Sequence, residues 1–279
     1  VKKIISTVIA VLVVSSVLIF SGCIGGDASS NPVNQKQSLK ISGSTTVLPI
    51  IKECVIEYDD KNVVIDVSGG GSGFGISEVG SKIVNIGMSS RDIKSSEFTD
   101  YPDLKAHTIA KDGVAIVVNP ENTVANSITK QQLKDIYAGK ITNWNELGGD
   151  DATINVYTRD EESGTREVFD KKGLDGQEIF PKSIVVASNA AMKSSVKNDK
   201  YGIGYISIGY VDDTVKTLDF EGVEPTKENV ITEKYEISRS LYLITNGNPT
   251  EVERNFIDFV KSSKGQEIVS NKGYISLKL

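Results

Sequence analysis

His107-Thr-Ile-Ala-Lys-Asp-Gly-Val-Ala-Ile-Val-Val118 contains a continuous apolar run, the pattern of a strand buried on both faces. A second such run is Ser240-Leu-Tyr-Leu-Ile-Thr245. The block between them carries its own alternation of β-rich and amphipathic segments. The chain is therefore expected to leave one domain, build a second and return through the second strand. The resulting division is 38–116 plus 240–279 for the first lobe and 117–239 for the second, with a ligand in the cleft between them.

Working outward, short β-rich runs alternate with amphipathic stretches from Ser38 on, the signature of an α/β protein with helices packed on sheets. Strands are expected at Leu39 to Ile41, Val63 to Val67, Asn85 to Met88, Ile154 to Thr158, Ile184 to Val186 and Ile203 to Ile206. Helices are expected at Pro49 to Tyr58, Gly73 to Ser81, Thr129 to Tyr137 and Glu162 to Lys172. The tail from Thr250 to Ser270 has helical periodicity, with Val252, Phe256, Phe259, Val260, Ile268 and Val269 on its apolar face.

At the other end, Lys2 and Lys3 precede an apolar stretch from Ile4 to Phe20, followed by Ser21-Gly22-Cys23. This resembles a lipoprotein signal spanning 1–22, with Cys23 as the lipidated residue, although Phe20 stands where such signals usually carry Leu. A membrane-spanning anchor is the alternative, because the stretch reaches the lower length limit for a span. Residues 23–37 are rich in turn formers and read as a flexible tether. Either reading puts the folded part outside the cytoplasmic membrane, at its outer face. Cys54, the only other cysteine, lies in an apolar helical pattern and reads as a buried thiol without a disulfide.

A formal net charge of −6 argues against a sequence-independent nucleic-acid binder, so any anion site must be local. Four predicted strand ends carry that possibility. Val156-Tyr-Thr-Arg159-Asp-Glu-Glu-Ser163-Gly164-Thr165 ends a strand with a planar fork of donors and opens a helix whose first N–H groups have no intrahelical partner. Such a helix start favours a tetrahedral anion. Ser42-Gly43-Ser44-Thr45-Thr46-Val47 leads into a helix with Pro49 in its opening turn. Ser68-Gly69-Gly70-Gly71-Ser72-Gly73 lets backbone N–H groups approach a ligand closely. Met88-Ser89-Ser90-Arg91-Asp92 ends a strand in hydroxyls and a second arginine. Parallel α/β sheets gather such ends in one crevice. Taken singly, Ser163, Thr46 and Ser72 read equally as helix caps, and Arg91 as half of a local ion pair with Asp92.

Catalysis is poorly provided for. His107 is the only histidine and adjoins no nucleophile motif. Gly-x-Ser-x-Gly, nucleotide-binding glycine motifs and metal-ligand spacings are absent. The carboxylate pairs Glu161-Glu162 and Asp150-Asp151 fall in expected turns.

Gly43-Ser-Thr-Thr-Val-Leu-Pro49, Gly71-Ser-Gly73, Ser89-Ser-Arg91, Asp112-Gly-Val-Ala-Ile-Val-Val-Asn119, Leu133 to Gly148, Arg159 with Ser163-Gly-Thr165, and Gly202-Ile-Gly-Tyr205 together carry a resemblance. From Leu39 onward the chain resembles the extracytoplasmic phosphate-binding proteins of ABC-type phosphate importers. The resemblance implies a two-lobed, type II periplasmic-binding-protein fold: two mixed-sheet domains joined by a two-strand hinge that closes on phosphate. It also implies a monomer that needs no cofactor or metal and delivers phosphate to a membrane permease. Ser44, Thr45, Thr46, Val47, Ser72, Ser90, Arg159, Ser163, Gly164 and Thr165 would line the ligand, and Thr142-Asn-Trp144 would support the fold. Ser90 departs from well-known members, which place there an aspartate that accepts the proton of hydrogen phosphate and repels sulfate. Alternatives are a receptor for sulfate or molybdate, a phosphate-ester hydrolase using Ser163 or Ser72, and a sensor or adhesion protein on the same fold.

Overall fold

A computed structural model describes residues 36–124 and 126–277. The signal segment, Cys23 and nearly all of the tether lie outside the described residues. The elements in order are β1 (Gln37–Gly43), α1 (Leu48–Glu57), β2 (Val63–Gly69), α2 (Ser72–Gly80), β3 (Ile86–Ser89), α3 (Ser95–Asp100), β4 (Leu104–Val118), β5 (Ser127–Ile128), α4 (Lys130–Tyr137) and β6 (Asn155–Arg159). They continue with α5 (Gly164–Val168), β7 (Ile184–Val186), α6 (Asn189–Lys197), β8 (Gly202–Ser207), β9 (Lys216–Phe220), α7 (Lys227–Ile231), β10 (Ser238–Asn246), α8 (Glu251–Lys261) and α9 (Ser263–Asn271).

The strand order β2-β1-β3-β10-β4-β8-β6-β7 makes a mixed sheet. β1, β2 and β3 run parallel, as do β6, β7 and β8. β4 ties the two sets together. Its first part, Leu104 to Gly113, pairs antiparallel with β10, and its last part, Val114 to Val118, pairs with β8 on one side while Ile116 to Val118 also pair with β9 on the other. Only the segment from Asp112 onward is buried on both faces; Lys105, Ala106 and Lys111 reach solvent. The change of partner coincides with a change of core. Val114 to Val118 join Trp144, Tyr205 and Phe220 in one apolar cluster, whereas Ile109 and Ala110 join Leu39, Leu243 and Phe256 in another.

The capping chemistry explains where the helices start. Thr129 with Gln132, and Thr250 with Glu253, form capping boxes that satisfy two orphan N–H groups apiece. The long tail helix expected from periodicity is instead two helices. Ser262 is extended (φ −67°, ψ 168°), and its hydroxyl accepts from Gly265 N at 3.3 Å. A side chain at 265 would strike the last carbonyls of α8, so glycine lets the second helix pack back on the first.

The helix expected over Glu162 to Lys172 is also interrupted. After α5 the backbone widens into a π turn at Phe169–Gly173. Phe169 stacks on Tyr205 at 4.0 Å and 11°. Asp170, on this turn, has one buried carboxylate oxygen without a hydrogen-bond partner among the described residues, and burial pushes its pKa up to about 6 against the partial relief of Arg166. A folded-state pKa above the unfolded value means that stability is lost as pH rises through it. Asp170→Asn is therefore expected to gain on the unaltered protein as pH rises from about 4 to about 6. The gain levels off at about 1–2 kcal/mol, reduced by partial solvent screening. Urea unfolding at pH 4 and pH 8 checks this, and a gap independent of pH would contradict it.

Trp144 is fully buried and donates to Tyr201 O at 3.0 Å, so the Thr142-Asn-Trp144 motif serves packing. The Cys54 thiol is buried in the α1 core, and desolvation pushes it up to about 12.

Candidate anion site

The hydroxyl-rich strand ends meet in one buried place. β1 ends at Gly43, φ +134°, where a Cβ would run into Met88 O; only glycine lets the chain pass β3 so closely. Ser44 N then donates to Met88 O at 2.9 Å. Ser44 Oγ accepts from Thr46 N at 3.2 Å and Val47 N at 3.4 Å, which shapes the turn into α1. The hydroxyl of Ser44 and those two N–H groups thus serve the turn.

The glycine run behaves differently from its sequence reading. Gly70 N and Gly71 N donate to Gly43 O at 2.8 and 3.0 Å, and Gly73 N donates to Glu162 O at 3.0 Å. These groups join loop to loop instead of facing an anion. The hydroxyls remain at the meeting point: Ser72 Oγ accepts from Ser90 N at 3.0 Å and lies 3.2 Å from Ser90 Oγ. Both serines are fully or almost fully buried.

From the other side, β6 ends at Arg159, which is 1% exposed. Its backbone N donates to Tyr205 Oη at 3.0 Å, its Nε to Val186 O at 3.0 Å and its Nη2 to Ala187 O at 3.0 Å. The guanidinium plane is therefore fixed by β7, and Nη1 is left buried without a partner among the described residues. Burial lowers the Arg159 pKa, with Arg239 as the opposing like charge, but a guanidinium stays protonated. Ser163 is the N-cap of α5, its Oγ accepting from Arg166 N at 3.2 Å. Thr165 Oγ1 lies 3.0 Å from Thr46 Oγ1, joining the two sides. Gly164 faces Ser72 and Ser90 so closely that a Cβ there would stand 2.8 Å from Ser90 Oγ. Thr45 is half-buried at the edge, its carbonyl accepting from Tyr210 Oη at 2.9 Å.

Arg91 is not free to hold a ligand. Its Nη1 and Nη2 donate to Glu97 at 2.8 and 2.6 Å, and its Nε pairs with Glu167 at 2.9 Å. The ion pair anticipated with Asp92 is made with these two glutamates, and only the Asp92 carbonyl accepts from it. Lys94 also reaches Glu167, at 3.0 Å. Arg91→Ala would strip the largely buried Glu97 of its bidentate counter-charge and leave Glu167 with only Lys94 and Lys171. We expect a stability loss of about 2–4 kcal/mol, read by urea denaturation; a change below about 0.5 kcal/mol, as for a surface site, would contradict it.

Several residues at the site escaped the sequence reading. Arg239 Nη2 donates to Thr46 Oγ1 at 3.2 Å and, with Nε, to Asp112 Oδ2 at 2.7 and 2.9 Å. Asn189 Nδ2 donates to Thr46 Oγ1 at 2.9 Å, and Tyr274 Oη to Thr46 O at 2.7 Å. The available signal was a charge at each of the two apolar runs: Asp112 within the first and Arg239 immediately ahead of the second. His107 bonds to Thr245 Oγ1 at 3.0 Å, on another part of β4. Among the described residues no cluster of His, Cys, Asp or Glu is arranged for a metal ion, and no helix is long and apolar enough to cross a membrane.

A profile for the PBP superfamily domain matches residues 28–264. The phosphate-binding protein PstS of Bacillus subtilis is 36% identical over 253 residues, covering 89% of this chain and 84% of its own. A substrate-binding protein of Clostridium perfringens assigned to phosphate ABC transport, solved with phosphate bound, superposes with a TM-score of 0.82 at 39% identity, covering 87% of this chain and 100% of that one. An ABC-type phosphate transport receptor of Vibrio cholerae gives 0.71 at 36% identity, over 86% and 100%. Matched along most of its length by the profile and by these relatives, the chain belongs to the PstS phosphate-binding proteins, a family of type II periplasmic-binding-protein fold within the PBP superfamily.

Proposed function

We propose that this chain binds inorganic phosphate outside the cell and hands it to an ABC-type phosphate permease, making and breaking no covalent bond. The observation that carries the reading is the buried Arg159 guanidinium, fixed by two backbone carbonyls with Nη1 unpartnered among the described residues, immediately ahead of the Ser163–Thr165 helix start. Arg159 supplies charge and fixed donors. Thr45, Thr46, Ser72, Ser90, Ser163 and Thr165 replace the anion's water, and Ser44, Val47 and Gly164 shape the loops around it. Lobes of 38–116 plus 240–279 and of 117–239 part along β4 and β10 to admit the anion, separating Thr46 from Thr165. The chain acts as a monomer held at the outer membrane face by lipid on Cys23.

The relatives named for phosphate binding and transport support this reading. One observation favours a second ligand beside it. Ser90 offers a hydroxyl that both donates and accepts, so the site lacks at that position the charge that would repel fully ionised sulfate. A hydrolase reading has less support, since Ser72 bonds to Ser90, Ser163 caps a helix, and the single histidine is engaged elsewhere. Titration calorimetry on the chain, unfolded and refolded to strip ligand, tests the proposal with phosphate and then sulfate. Tight binding of phosphate is expected; binding of neither anion would sink the reading.

A further inference from the structure

Among the described residues, Arg159 is one of two buried arginines with a nitrogen left over. Arg239 Nη1 is likewise buried and unpartnered among the described residues, and the Arg239 side chain is 3% exposed. We propose that Arg239 is a second cation of the anion site, contacting the bound oxyanion through Nη1 while its other edge fixes Thr46 as a hydrogen-bond donor to the same anion. This rests on the phosphate-binding reading above and adds a ligand group to it.

The hydrogen bonds around Thr46 carry the second half. A threonine hydroxyl has two acceptor positions and one donor. Arg239 Nη2 at 3.2 Å and Asn189 Nδ2 at 2.9 Å are both obligate donors, so they fill the two acceptor positions. The hydroxyl proton has one way left to point: toward Thr165 Oγ1, 3.0 Å away, or toward an anion between them. The arrangement is a closed ring. Asp112 Oδ2 takes Arg239, Asp112 Oδ1 takes Ser207 Oγ at 2.8 Å, Ser207 N donates to Asn189 Oδ1 at 3.0 Å, and Asn189 returns to Thr46.

Charge carries the first half. Arg239 is close enough to Arg159 to oppose its protonation, so two like charges share one buried region. Asp112, fully buried, neutralises one of them, and the remaining positive charge with two free Nη1 ends suits an incoming anion. Arg239 also lines a cleft of about 790 Å³ beside Lys94 and Lys111, which gives the network access to solvent from one side.

If Arg239 served only to neutralise Asp112, disturbing either partner would weaken binding through misfolding. A ligand role predicts opposite signs. Phosphate and sulfate titrations on the full chain in detergent, stripped by refolding, separate the two. Arg239→Gln should weaken phosphate roughly tenfold to hundredfold, the worth of a charge-assisted hydrogen bond. Arg239→Lys should recover part of the loss. Asp112→Asn, which frees the Arg239 charge, should tighten phosphate several-fold despite a lower unfolding temperature of the ligand-free chain. Should Arg239→Gln fail to fold, the Asp112→Asn/Arg239→Gln pair leaves no buried charge unmatched and carries the same expectation of weaker binding. Weaker binding in both single variants, or unchanged binding in Arg239→Gln, would overturn the assignment while leaving phosphate binding intact. An unaltered chain that binds no phosphate would overturn both readings together.

Discussion

Arg159→Ala is expected to weaken phosphate binding by about 3–5 kcal/mol, the cost of leaving a buried charge without its partner. The size follows from how the side chain is held. Val186 O and Ala187 O take Nε and Nη2, so the guanidinium is already ordered and little entropy is lost when an anion arrives. Lysine cannot substitute, because it keeps the charge but lacks the fork that bonds two carbonyls and an anion at once. Arg159→Lys should therefore lose about 2 kcal/mol or more. Calorimetry reads both, and an affinity unchanged in Arg159→Ala would remove this residue from the site.

Gly164→Ala should be nearly as damaging for a steric reason. The added methyl would stand 2.8 Å from Ser90 Oγ and 3.0 Å from Ser72 Cβ, groups that belong to the opposite side of the site. Inside a core such overpacking costs about 1–3 kcal/mol. If the two lobes proposed above draw apart without ligand, this strain is relieved in the open form, and its cost would fall on ligand binding and spare folding. We expect phosphate affinity to drop by about 2–3 kcal/mol while the ligand-free unfolding midpoint barely moves. Small-angle scattering should then find no contraction when phosphate is added. A variant that binds and contracts normally would refute the argument.

These effects also mark how far the chain could be read before its structure. Strands that are apolar throughout, such as Val114 to Val118, and helices with a full capping box, such as the one after Thr129, declare themselves locally. α3, α6, α7, β5 and β9 do not, because short polar elements such as Asn189–Lys197 depend on tertiary contacts for their stability. The tail helix was overextended for a related reason: periodicity runs through Ser262, but a serine hydroxyl free to cap a new turn breaks the helix there.

At the site, Arg159, Ser163 to Thr165 and the Gly43 to Val47 loop were legible as strand ends with exposed donors. Whether the glycine loop's N–H groups face a ligand was not, since only the fold reveals that Gly43 O and Glu162 O already take them. Arg239 and Asp112 stayed hidden because each looks like a stray charge until both are seen across the sheet.

Arg239 stands directly opposite Asp112 in the β4–β10 ladder, with Ser238 opposite Gly113, at the place where the chain passes from one apolar cluster to the other. The strand pair is thus both a connection and a carrier of charge, so whatever straightens or twists it also moves a guanidinium by the site. In mechanical language, an anion gripped there, as proposed above, would act as a brace on a torsion bar. Amide exchange at Asp112, Gly113, Ser238 and Arg239 should slow when the site fills. The same two strands would then report occupancy at a distance from the anion itself.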